Sequence, residues 1–164
     1  MSLSPQERQK LIQQYADGPK RLASALARVP EQARKWRPAA GKWSVHEVVC
    51  HCADSEMQSA GRIRFLLSSK HPTIQGYDQD VWAETLGYHD HPIETALAMV
   101  DAARGNTVPL LHRLKEADWQ REGVHTESGP YTVEKWMQIY ADHLEVHSRQ
   151  IERNLAAWQA AHPG

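Results

Sequence analysis

The sequence predicts an all-α fold, an antiparallel four-helix bundle with a long crossover between its second and third helices. Three observations carry that expectation. Four long stretches repeat their apolar residues at helical spacing, two of them open on a capping box, and no convincing period-2 run reads as a strand. The length of 164 residues suits one domain covering 1–164, and 41% hydrophobic against 24% charged residues is enough to build one core.

The first helix starts at Ser4-Pro5-Gln6-Glu7, where Ser4 can cap, Pro5 suits the first turn and Glu7 completes a capping box. Leu11, Ile12, Tyr15, Leu22 and Leu26 form its apolar face, and Gly18-Pro19 predicts a kink or break over residues 16–19. Val29 to Gly41 reads as connector with one short helical turn after Pro30. The second helix, roughly 44–69, opens on the capping box Ser44-Val45-His46-Glu47 and carries Val48, Val49, Cys52, Ile63 and Leu66 in register. His71 to Pro92 forms the crossover, with a short helix over Gln79 to Leu86. The third helix spans roughly 92–116, with distortion expected at Gly105 and Pro109. After a polar loop containing Gly123, Gly129 and Pro130, the fourth runs from near Thr132 to about Trp158.

Composition excludes several classes of function. A net charge of -1 supplies no basic field for a phosphate backbone, so nucleic acid is not an expected partner. No apolar run approaches the roughly 20 residues that cross a bilayer and residues 1–5 lack a signal-peptide core, so the protein reads as cytoplasmic with no membrane partner. Cys50 and Cys52, two apart on one helix, diverge by about 160° and read as reduced thiols, Cys52 a small core residue and Cys50 on the helix side. Trp43, Trp119, Trp136 and Trp158 read as core and rim, and apolar residues left over near Leu155 and Trp158 allow a homodimer.

The bias that stands out is ten histidines against one phenylalanine. In His143-Leu144-Glu145-Val146-His147 the two histidines lie four apart on one helix face, near enough for two imidazoles to share one metal ion. With Tyr140 at zero and about 100° per residue, His147 falls near about -20° and His143 near about -60°, both on the inward face. Spacing alone leaves open that each simply hydrogen-bonds a carbonyl or carboxylate at the core edge. A metal usually takes at least three protein ligands, and the second helix offers His46 and His51. His51 flanks the apolar stripe, whose centre lies about 110° away from it. His46 lies about 140° from His51 and reads as solvated in the first turn. A zincin motif is rejected, because His46 and His51 are five apart where that motif needs four. Consecutive Cys50, His51 and Cys52 fan out and cannot converge on one ion, and His89-Asp90-His91 reads as surface loop. Neither a P-loop nor a dinucleotide fingerprint is present.

Trp43-Ser44-Val45-His46-Glu47-Val48-Val49-Cys50-His51 resembles the W-S-x-x-E-x-x-x-H motif of the DinB superfamily. His143-Leu144-Glu145-Val146-His147-Ser148-Arg149-Gln150-Ile151 is similar to the family's fourth-helix H-x-x-x-H-x-x-Q-I motif, and Tyr77-Asp78-Gln79 with Trp82-Ala83 to its crossover. The resemblance, from about Gln6 to Trp158, implies a four-helix bundle whose metal site consists of His51, His143 and His147, usually with zinc or nickel. It also implies kinship with thiol-dependent transferases and isomerases that use an external low-molecular-weight thiol.

The function expected is a metal-dependent enzyme acting on a small-molecule substrate, its divalent ion activating a thiol or a water for transfer or hydrolysis. Glu145, Gln58, Tyr77 and Asp78 are the candidates to accept the histidines' other N–H groups. The alternatives are a metal-binding module without catalysis and an interaction bundle holding no ion.

Overall fold

The computed structural model describes residues 2–163. The chain forms α1 (Pro5–Ala27), α2 (Glu31–Arg34), α3 (Val45–Ser68), β1 (Thr73–Ile74), α4 (Gln79–Thr85), a single 3-10 turn at Tyr88–Asp90, α5 (Ile93–Leu111), α6 (Glu116–Trp119), β2 (Glu122–His125), β3 (Gly129–Thr132) and α7 (Val133–Ala161). The helix starts follow their local chemistry. Ser4 and Ser44 accept from the backbone N–H of Glu7 and Glu47, whose carboxylates accept in return from the serine amides at 2.7 and 2.8 Å. Thr132 caps α7 through the Lys135 amide.

Four long helices, α1, α3, α5 and α7, make the bundle. α1 packs against α7 and α5, and α3 packs against α5 and α7. Contacts along each pair fix their directions. Arg8 meets Glu134 and Arg28 meets Glu152, so α1 and α7 run parallel. His46 meets His91 and Arg64 meets Thr107, so α3 and α5 also run parallel. α3 is antiparallel to α7, as Trp43 contacts Asn154 and Ser59 contacts Trp136; α1 is antiparallel to α5, as Tyr15 contacts Arg104 and Arg8 contacts Glu116. The long crossover makes this possible, because it carries the chain back along α3 before α5 begins.

Of the kink or break expected at residues 16–19, the break does not occur: α1 is continuous through Pro19. Proline withholds its N–H from the carbonyl four residues earlier, that of Tyr15, and the Arg104 side chain donates to that carbonyl instead at 2.6 Å. α5 likewise continues through Pro109, with Gly105 on its exposed face, and ends at Leu111, short of the expected 116.

The polar loop before α7 turns out to hold strands. β2 and β3 form an antiparallel hairpin, His125 facing Gly129, and β1 from the crossover pairs parallel to β2 through Thr73 with Val124 and Ile74 with His125. Elements of two to four residues are too short to show a period in the sequence. Gly123 is required here, because a β-carbon on it would run into the Pro72 carbonyl.

The apolar interior falls into two clusters. One gathers Leu22, Val48, Val49, Leu144 and Ile151 with Tyr88 of the crossover, and the other gathers Tyr15, Ile63, Trp136 and Met137. Trp136 is wholly buried and its indole N–H reaches the Ser59 carbonyl at 3.1 Å. Trp119 is also buried, while Trp43 and Trp158 pack partly exposed against the first cluster. Among the described residues, no helix is long and apolar enough to cross a membrane.

Candidate metal centre

His51 projects from the second turn of α3, and His143 and His147 project from successive turns of α7, its antiparallel neighbour. The three rings converge, with centroids 5.5 Å apart for His51 and His143, 4.8 Å for His51 and His147, and 4.7 Å for His143 and His147. One nitrogen from each lies within 4.8 Å of the others.

Hydrogen bonds on the far sides of two rings orient them. His143 Nδ1 lies 2.9 Å from Glu56 Oε1, and an ionised carboxylate only accepts, so Nδ1 carries a proton and Nε2 faces the cluster. His147 Nδ1 is 2.8 Å from the Gln150 amide oxygen, which favours the same tautomer. His143 Nε2 is 3.4 Å from His51 Nε2, and His51 Nδ1 is buried with no hydrogen-bond partner among the described residues. Burial, reinforced by the neighbouring imidazoles, pushes His51 down to about 2; burial and His143 push His147 down to about 4. Those two rings are therefore neutral near pH 7. The Trp43 ring adjoins His51, with centroids 4.8 Å apart and planes tilted by 45°.

Behind His143 lies a buried ion pair. Glu56, with a fully buried side chain, takes a two-pronged contact from Arg104, Nε to Oε2 at 2.9 Å and Nη2 to Oε1 at 2.6 Å. Burial opposes the Glu56 charge, but Arg104 and the hydrogen bonds from His143 and Arg104 outweigh it and hold the carboxyl below its usual range. Arg104 directs two further N–H groups to the carbonyls of Tyr15 at 2.6 Å and Tyr140 at 2.7 Å, and its guanidinium lies 4.0 Å from the Tyr15 ring centroid. One side chain on α5 thus grips α1, α3 and α7.

The structure brings His51, His143 and His147 together and leaves the other candidates apart. His46 is buried rather than solvated, because the crossover packs over the first turn of α3 and its Nε2–H donates to the His91 carbonyl at 2.8 Å. Cys50 is also buried, its thiol 3.5 Å from the Tyr88 carbonyl, and Cys52 is a core residue. His89 binds Ser44 and lies 3.2 Å from Glu47, so it braces the start of α3. Of the residues expected to accept the histidines' second N–H, Glu145 pairs with Arg149 and Arg21, Tyr77 stacks on Trp82, and Asp78 caps α4. Among the described residues none of these, nor Gln58, hydrogen-bonds to the three histidines. Glu56 and Gln150 take that place. Sequence reasoning missed Glu56, which lies five residues, or about 140°, beyond His51, within about 30° of the centre of the apolar stripe; a carboxylate in an apolar stripe is the signal that could have found it.

A four-helix bundle with three inward imidazoles converging across two antiparallel helices has the donor set of a metal-binding helical bundle. The family model of the DinB superfamily matches residues 14–151, and the chain belongs to that superfamily. A Bacillus mycoides protein named "Putative metal-dependent hydrolase" is 33% identical over 142 residues, covering 87% of this chain and 82% of the relative. An Oceanobacillus iheyensis protein of the same description is 31% identical over 140 residues, covering 85% and 81%. Among solved structures, YfiT from Bacillus subtilis, described as a probable metal-dependent hydrolase with an unusual four-helix bundle topology, superposes with a TM-score of 0.87 at 27% identity, covering 93% of this chain and 88% of YfiT.

Proposed function

We propose that the protein is a metal-dependent hydrolase of small molecules in which His51, His143 and His147 hold one divalent ion, zinc or nickel. The observation that carries this is the convergence of three ring nitrogens within 4.8 Å, two of the rings having their other nitrogen committed to Glu56 and Gln150. Neutral imidazoles with inward lone pairs are the donor set such ions take, and three protein ligands leave a coordination position open. When bound, the ion supplies the lowered pKa that makes a water or a thiol nucleophilic near pH 7. The chain's own part is to keep His51 and His147 unprotonated, to aim all three rings, and to wall the site with the Trp43 ring beside His51.

The names of the relatives favour water as the nucleophile. Transfer from an external low-molecular-weight thiol is the second reading. Cys50 and Cys52 are both buried, and burial raises both thiols, Cys50 to about 12, so a thiol nucleophile would have to come from outside the chain.

Elemental analysis of protein purified without a metal-affinity tag tests the assignment. About one zinc or nickel per chain is expected in the parent, and loss of it in His51→Ala, His143→Ala and His147→Ala. Unchanged metal content in His143→Ala, or a parent that takes up no ion when one is added back, overturns it.

A further inference from the structure

We infer that Glu56 and Arg104 are a positioning pair that fixes the tautomer and the aim of His143 at the proposed ion. The inference rests on the metal-site reading above and names residues outside the three histidines. Glu56 meets His143 Nδ1 at 2.9 Å through the same Oε1 that Arg104 Nη2 holds at 2.6 Å. The carboxylate has no freedom to swing away, because Arg104 Nε pins its other oxygen at 2.9 Å. Arg104 in turn is fixed from two further helices by the Tyr15 and Tyr140 carbonyls, and Tyr140 is one helical turn from His143. A chain of four bonded groups therefore runs from the Pro19 region of α1 to the ring nitrogen on the far side of His143. Each link has one geometry.

Glu56 is not placed to touch a reacting group. Its side chain is completely buried and both oxygens are engaged by Arg104 and His143, so it acts through His143 alone. Structural stabilisation by itself would not call for this arrangement: a buried ion pair is often no better for stability than apolar residues of the same volume. A histidine that must present a lone pair in one direction does need a fixed acceptor for its other N–H.

The measurement is the affinity of metal-free protein for zinc, by competition with a chromophoric chelator, together with the nitrogen chemical shifts of the His143 ring in the metal-free state. Glu56→Gln is expected to weaken zinc about 10- to 100-fold and to shift His143 away from the Nδ1–H tautomer. Should Glu56→Gln alone fail to fold, the double variant Glu56→Gln with Arg104→Met removes both charges together, and its folding is followed by helical circular dichroism and a cooperative melt. Its zinc affinity is expected to fall by a similar factor while the bundle stays intact. A folded variant with parental zinc affinity overturns the inference, as does a parent whose His143 is not in the Nδ1–H tautomer. The tautomer is read without any ion present. A parent that binds no zinc therefore overturns the metal-site reading, while the ring shifts still decide whether Glu56 sets the tautomer of His143.

Discussion

Arg104 donates its Nη1 hydrogen to the Tyr15 carbonyl at 2.6 Å, the carbonyl that Pro19 leaves without its helical partner. A defect in one helix is thereby repaired by a side chain from another. The repair also places the guanidinium where it meets Glu56, so the interruption in α1 and the cluster on α3 and α7 share one residue.

Removal of Arg104 alone should be severe. Arg104→Met leaves the Glu56 carboxylate buried without its guanidinium, held only by His143 Nδ1–H, and is expected to cost about 3–5 kcal/mol in urea unfolding. Adding Glu56→Gln to that variant should recover part of the loss despite removing another native contact. A double variant less stable than Arg104→Met would show that the buried charge is not what the single substitution exposes.

Gly18 separates helix propensity from packing. Alanine is the better helix former by about 1 kcal/mol, so propensity alone predicts that Gly18→Ala stabilises α1. A β-carbon there would press on Arg104 Nη1 and sit 3.0 Å from Leu144 Cδ1, so the expected outcome is a loss of about 1–3 kcal/mol. Thermal or urea unfolding decides the sign.

The histidines set an acid limit. His51 and His147 have folded pKa values below the ordinary value of about 6.5, so the unfolded chain binds protons more readily and acid favours unfolding. Their contribution is complete above about pH 6.5 and drains away as the pH falls toward about 4 for His147 and about 2 for His51. The unfolding midpoint of metal-free protein is expected to drop across this window, and His147→Gln to flatten part of the drop. An unchanged slope in that variant would remove His147 from the account.

Much of the architecture could be read from local chemistry. The boxes Ser4 with Glu7 and Ser44 with Glu47 announced two helix starts, and the apolar spacing gave the four long helices and the short one after Asp78. What escaped was tertiary. Pro19 reads as a kink or break because the rescue of Tyr15 comes from a residue 89 positions away. His46 reads as solvated because the cover over it, His91, belongs to a crossover whose path has no local signature. The three strands are too short to carry a pattern. Within the candidate site, the inward phase of His143 and His147 was legible from α7 alone. The choice of His51 over His46 needed the family motif, and Glu56 and Arg104 needed the packed bundle.

The parallel pairing of α1 with α7 bears on how the molecule assembles. His143 lies 92 positions after His51, and the helix that carries it is also a neighbour of α1. A chain emerging from the ribosome holds α1, α3 and α5 before α7 exists, with the apolar faces meant for α7 still bare. His51 at that stage lacks both partner imidazoles. Capture of the proposed ion would therefore be a late event, following or accompanying the docking of the final long helix. Any ion would seal a bundle already formed rather than seed one, and the interval before α7 arrives is when the nascent chain most needs shielding from self-association.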